Sequence, residues 1–202
     1  MCPRIERVVL IHADESCLGN GREGANPGGG GSLVETLSDG LIVRRDLLIS
    51  SPDTTNNRMA LSGAIATLKE LPEENGGSPV IYVSDSQYLV KGMNEWVAGW
   101  RARGWRRKGG EIENLILWKE LVAIAREFSI TWKWVRGHSG HPKNEYVDDL
   151  AVRAATDQLS TDGFVKSSLD TWLAHKQSRG QFTSYDADRS LLESNGKLAR
   201  EL

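Results

Sequence analysis

Val8-Val9-Leu10-Ile11-His12-Ala13-Asp14 is the stretch from which the fold can be read. A β-branched, apolar run of this length that ends on a polar residue reads as a buried strand, and it delivers Asp14 at its end. Outward from it, residues 19–31 are Gly-rich and read as a long loop. Two further strands are expected over 31–37 and 41–50, joined by Ser38-Asp39-Gly40, a good hairpin turn. A helix over 57–71 carries apolar residues at Met59, Leu61, Ala64, Ile65 and Leu68 and stops before Pro72. A short strand over 80–83 and a short helix over 86–96 follow.

The longest helical pattern covers 112–128, with Leu117, Leu121, Ile124 and Phe128 spaced for one face. Residues 130–135 alternate as a strand, and the loop 137–142 leads into a helix over 144–155. Three strands, a helix, a strand, helices, a strand and a helix predict an α/β fold. Its mixed five-stranded sheet has an antiparallel hairpin at one side and helices on both faces.

The chain has 202 residues, 39% hydrophobic and 26% charged. That suits one ordinary globular domain of about 150 residues with an appendage. The expected division is a catalytic domain over 1–157 and a weakly structured extension over 158–202, because the apolar pattern fades after Thr156. No apolar run approaches the roughly 20 residues of a membrane span, and the first residues lack the pattern of a secretory leader. Cys2 and Cys17 form neither a disulfide framework nor a metal-ligand set. The expectation is a cytoplasmic monomer.

The net charge of −2 hides an uneven distribution. Arg101, Arg103, Arg106, Arg107 and Lys108 fall within eight residues free of acids, interleaved with Trp96, Trp100 and Trp105, while acids cluster at Glu70, Glu73 and Glu74. A local basic stretch in a mildly acidic protein is the pattern of a polyanion-binding face. The alternative is an amphipathic helix with its tryptophans in the core and its arginines in water.

Three aspartates sit where convergent carboxylates belong: Asp14 ends the first strand, Asp85 follows the fourth, and Asp148 lies on the helix after the last. Adjacent strands lie about 4.8 Å apart, so two strand-end carboxylates can share one cation. Oxygen ligands of this kind suit Mg²⁺ or Mn²⁺ rather than zinc.

Four ordered stretches go further: Asp14-Glu15-Ser16-Cys17-Leu18-Gly19-Asn20, Thr54-Thr55-Asn56-Asn57-Arg58-Met59, Ser84-Asp85-Ser86-Gln87-Tyr88, and residues 134–145, Trp134-Val135-Arg136-Gly137-His138-Ser139-Gly140-His141-Pro142-Lys143-Asn144-Glu145. With the Trp96, Trp100, Gly104-Trp105 series, they make the chain from Arg7 to Ala155 resemble type 1 ribonuclease H, bacterial ribonuclease HI-like. The resemblance implies a ribonuclease H-like fold and endonucleolytic hydrolysis of the RNA strand of RNA–DNA hybrids with two Mg²⁺ or Mn²⁺ ions per site. It implies Asp14, Asp85 and Asp148 as metal ligands and His138 as a proton relay or aid to product release. Asn20, Thr55, Asn56, Asn57 and Gln87 match positions lining the hybrid's minor groove and a DNA phosphate pocket. Trp96, Trp100, Arg101, Trp105, Arg106 and Arg107 match a basic protrusion that packs on sugars and neutralises phosphates. An apparent insertion over 21–27 leaves both Asn20 and Asn26 as candidates for one asparagine position.

One departure stands out. Where the family has a glutamate after Arg58-Met59, this chain has Ala60, and beside Asp14 it has Glu15 where the family usually has glycine. Glu15 can supply the missing carboxylate as a catalytic metal ligand, Ala60 can be an inactivating change that leaves a hybrid-binding protein, or three carboxylates can suffice. Because neighbouring strand residues point to opposite faces, the first reading requires the strand to end or bulge right after Asp14. His12 shares a strand face with Asp14 and is expected to be a core histidine.

Overall fold

The computed structural model describes residues 7–19, 25–72 and 77–201, with side chains through Asn195. The opening run becomes the central strand β1, Arg7–Cys17. β2 (Gly28–Ser38) and β3 (Leu41–Ser51) follow antiparallel, turning at Asp39 and Gly40, whose φ angles are 51° and 81°. β4 (Pro79–Ser84) joins β1 in parallel on its other side, and β5 (Ser129–Trp134) joins β4 in parallel. A two-residue strand β6, Val165–Lys166, pairs with β3. The sheet order is β5-β4-β1-β2-β3-β6. The mixed α/β sheet is as expected, with six strands in place of five. Two residues are too few to show a strand's alternation.

Helices cover both faces. α1 (Asn56–Glu70), α2 (Gln87–Lys91), a π-helical turn (Gly92–Trp96), α3 (Val97–Ala102) and α4 (Leu115–Ala125) occur on one side. There Val9, Ile11 and Ala13 of β1 pack with Ala60, Leu61 and Ala64 of α1 and Trp118 and Leu121 of α4. α5 (Pro142–Asp157), α6 (Leu169–Ser178) and α7 (Ala187–Glu201) take the other side. Tyr146, Val147 and Leu150 of α5 meet Leu33 and Leu48 there, and Leu191 of α7 meets Val8 and Leu10.

The glycines at 28–30, expected in a loop, join Gly31 as the start of β2 instead. The reason is the closeness of α5: a Cβ on Gly29 would lie 2.2 Å from the Ala155 nitrogen, and one on Gly31 2.6 Å from the Leu150 Cβ. Only bare strand backbone lets the helix backbone rest this close.

The extension after 157 also departs from expectation, because β6, α6 and α7 fold back onto the sheet. Arg44 on β3 pairs with Glu35 at 2.9 Å, with Asp170 at 3.5 Å and with Asp188. Lys143 Nζ stands 2.6 Å from Glu35, with both side chains fully buried, and donates to the Ala187 carbonyl at 3.3 Å. Leu169 and Leu173 bury beside Tyr146 and Leu150. No helix among the described residues is long and apolar enough to cross a membrane.

Candidate active site

Strand lengths create the site. β1 pairs with β4 only as far as Ala13 opposite Ser84, yet continues against β2 to Cys17 opposite Gly28. Asp14 is the first β1 residue past the end of β4, and Asp85 is the first residue after β4. The two carboxylates therefore emerge side by side at the carboxyl ends of parallel strands, the usual position of a ligand site in such sheets.

Glu15 completes the group. One oxygen from each of Asp14, Glu15 and Asp85 lies within 4.8 Å of the others. This occurs without the strand break that the alternation argument demanded, because β1 stays in register through Asp14 opposite Gly31 and Glu15 opposite Gly30. Alternation fixes where a Cβ starts, but not how far a glutamate reaches. With no β4 residue beside position 15 and no side chain on Gly30, Glu15 can bend around the open end of the sheet. The Ser86 hydroxyl nearby offsets part of the rise in the Glu15 pKa. Ala60 is buried in the same cluster as Ala13 and Tyr82.

Burial and mutual repulsion shape the protonation of this group. Burial first, then the Asp85 and Glu15 charges, pushes the Asp14 carboxyl up to about 8, although the Glu15 N–H donates to its Oδ1 at 2.7 Å. Burial, and then Asp85, pushes Glu15 up to about 8 as well. Asp85 is raised, chiefly by burial. Such shifts are the cost of gathering carboxylates with no cation among them. Asp14 Oδ2 is buried and has no hydrogen-bond partner. A buried, unpartnered oxygen amid hard oxygen donors fits a divalent cation.

Asp148, on the second turn of α5, stands outside that tight set, but its charge helps raise both Asp14 and Asp85. Its Oδ2 is 3.7 Å from Nδ1 of His138, whose side chain is 77% exposed. His138 has a positive φ of 49°, so the loop turns its imidazole toward Asp148 from a left-handed residue.

The expected substrate-binding residues fall on several elements. Thr55 caps α1, its hydroxyl accepting from the Arg58 N–H at 3.3 Å. Asn56 and Asn57 occupy the first turn of α1, and Gln87 is exposed at the start of α2. Asn26 lies at the mouth of the β1–β2 hairpin, its carbonyl accepting from the Thr54 N–H at 2.9 Å and its N–H donating to Asp53. Asn20 and residues 21–24 of the insertion lie outside the described residues, as do Glu73 and Glu74. Arg101, Arg106 and Arg107 are exposed, while Trp96 and Trp105 are half-buried. Trp100 is buried, 5.5 Å from the Trp118 ring centroid and 5.8 Å from that of Trp96. It packs into the core cluster and also lines a pocket with Trp96 and Arg107. His12 is a core histidine, stacked on His141 at 5.5 Å, and burial followed by the Lys143 charge holds its pKa well below the ordinary value.

Sequence reasoning missed three residues. Ser86 places a hydroxyl near Glu15, where it favours the charged carboxylate. Trp134 donates its indole N–H to the Asp85 carbonyl at 2.9 Å. Gly137 lies directly against the Asp85 carboxylate. Ser86, Trp134 and Gly137 all fall within the matched stretches, but only their three-dimensional contacts reveal what they touch.

A family model described as RNase H matches residues 6–156. The chain belongs to the ribonuclease H family. Ribonuclease H of Syntrophotalea carbinolica is 41% identical over 155 residues, covering 76% of this chain and 95% of that protein. Ribonuclease H of Pseudomonas entomophila is 43% identical over 146 residues, covering 72% and 91%. Among solved structures, the chain is similar to LC9-RNase H1, described as a type 1 RNase H with the type 2 active-site motif. Identity there is 47%, the TM-score is 0.79, and coverage is 88% of this chain and 85% of that one. The ribonuclease H family match ends at residue 156, so the segment holding α6 and α7 lies beyond it.

Proposed function

We propose that this chain is an endoribonuclease that hydrolyses the RNA strand of RNA–DNA hybrids, with Asp14, Glu15, Asp85 and Asp148 as ligands for two Mg²⁺ or Mn²⁺ ions. The observation that carries this reading is the convergence of Asp14, Glu15 and Asp85 within 4.8 Å at the end of the sheet. Family membership supports the activity. Similarity to a protein described as a type 1 RNase H with the type 2 active-site motif supports an active-site motif that departs from the type 1 pattern.

Bound divalent cations supply Lewis acidity for activating water and stabilising the leaving oxygen. The protein's own residues do the rest. Asp14 and Asp85 are held by adjacent strand ends, so their oxygens need no reorganisation to act together. Glu15 replaces the carboxylate missing at Ala60, and the Ser86 hydroxyl orients it. Asp148 flanks the set, and the exposed His138 imidazole beside it exchanges a proton with the departing product.

Thr55, Asn56, Asn57 and Gln87, with Asn20 or Asn26, hydrogen-bond the hybrid's 2′-hydroxyls and phosphates. Arg101, Arg106 and Arg107 neutralise phosphates, while Trp96 and Trp105 offer their exposed ring faces to sugars. The catalytic unit is residues 1–157, and the described residues after 157 form a docked support for α5.

The test is cleavage of a labelled RNA–DNA hybrid with Mg²⁺ and with Mn²⁺, beside the Asp85→Asn variant. The parent is expected to cut only the RNA strand. Asp85→Asn, whose amide is a poorer metal ligand of nearly the same shape, is expected to cut nothing while keeping its circular dichroism spectrum. A parent that binds hybrid yet cleaves it with neither metal makes this a binding protein.

A further inference from the structure

β5 and the loop after it border the site through backbone, where sequence motifs say little. Trp134 is the last residue of β5, and its indole N–H holds the Asp85 carbonyl at 2.9 Å. The next residue, Val135, extends the strand pairing by donating its N–H to the Ser84 carbonyl at 3.1 Å. Two residues on, the loop passes so close to Asp85 that a Cβ built on Gly137 would lie 2.1 Å from Oδ2, 3.2 Å from Cγ and 3.5 Å from Cβ of that aspartate. All three nearest atoms belong to one side chain. Gly137 is not among the residues of positive φ, so its backbone would accept alanine. The obstacle to a methyl group is the Asp85 carboxylate itself.

We propose that Gly137 is a positioning residue for Asp85: its bare Cα forms the wall against which the carboxylate is held, and Trp134 fixes the same aspartate from the main-chain side. The loop that carries His138 is thereby locked to Asp85 at one end, as the imidazole meets Asp148 at 3.7 Å on the other. The inference rests on the reading of Asp85 as a metal ligand.

The test uses Gly137→Ala and Trp134→Phe in the full chain, with three readouts: Mn²⁺ affinity by calorimetry or electron paramagnetic resonance, hybrid cleavage, and Tm. A methyl group at 137 must push Oδ2 aside. Loss of a group that orients a metal ligand costs on the order of 10–100-fold in metal affinity or activity. Gly137→Ala is expected to weaken Mn²⁺ binding and slow turnover within that range while Tm changes little. Trp134→Phe, which removes the indole N–H and keeps a ring, is expected to do the same to a smaller extent. In an Asp85→Asn background, Gly137→Ala should cause little additional loss of Mn²⁺ affinity. Parent-like Mn²⁺ binding and turnover in Gly137→Ala overturn the proposal, as does a full additional loss in the Asp85→Asn background. Should Gly137→Ala fail to fold, parent-like Mn²⁺ affinity in Trp134→Phe overturns it. A parent that binds no Mn²⁺ instead removes the reading of Asp85 as a ligand.

Discussion

Glu35 and Asp14 are both buried on the two central strands, and the protein treats them in opposite ways. Glu35 is 0% exposed, with Lys143 at 2.6 Å and Arg44 at 2.9 Å. Asp14 is 7% exposed, yet its near neighbours are Glu15 and Asp85, and none of these three pairs with a lysine or arginine among the described residues. A buried charge is costly unless it is paired. The protein supplies its own cations where the extension docks, and none of its lysines or arginines among the described residues pairs with the acids at the sheet end. Pairing separates a structural carboxylate from a working one more clearly than burial does.

The sharpest way to break this contrast is Glu15→Gln. If Glu15 is a working carboxylate, its loss should cut hybrid cleavage about 10–100-fold and raise the metal concentration needed. Adding Ala60→Glu should recover part of the loss. Parent-like cleavage in Glu15→Gln would make Glu15 a bystander.

The mirror experiment is Lys143→Met. It leaves Glu35 without its buried lysine, and breaking a buried pair costs about 3–5 kcal/mol, read as a lower urea midpoint. Cleavage per folded molecule should stay near the parent's. An unchanged midpoint would show that Arg44 alone satisfies Glu35.

How far each region could be read from sequence follows the same line. Asp14 and Asp85 were legible because a strand end is a local signal, and the matched motifs named their chemistry. The convergence of Glu15 with Asp14 and Asp85 was obscured by alternation, since side-chain reach past a strand end depends on where β4 stops. The extension looked unstructured because its partners, Arg44 on β3 and Lys143 on α5, are remote in sequence and its own pattern is polar. Trp100 could not be told from an exposed tryptophan until Trp118 was seen beside it. The strand nature of Gly28–Gly31 required knowing that α5 rests on them.

The pH response should also separate the regions. In the metal-free protein, Asp14 and Glu15 hold protons up to about 8, whereas an unfolded chain releases them near the ordinary carboxylate values. The native state therefore binds more protons across that window, and its stability falls as pH rises from about 5 to about 8. Mn²⁺ displaces those protons, so the Tm gain on adding it should grow over the same range. A gain independent of pH would place the metal elsewhere.

The smallest effect belongs to the protrusion. Arg106→Ala with Arg107→Ala should weaken hybrid binding for every sequence alike and reduce the slope of log affinity against log salt by about 2. An unchanged slope would return these arginines to the role of a solvated loop.

The most direct measurement is a calorimetric titration of Mn²⁺ into the parent, Asp14→Asn and Glu35→Gln proteins near neutral pH. The unpaired carboxylates should make the parent bind Mn²⁺ with release of protons, Asp14→Asn bind it far more weakly, and Glu35→Gln bind it as the parent does despite lower stability. Equal binding in the parent and Asp14→Asn would contradict the account.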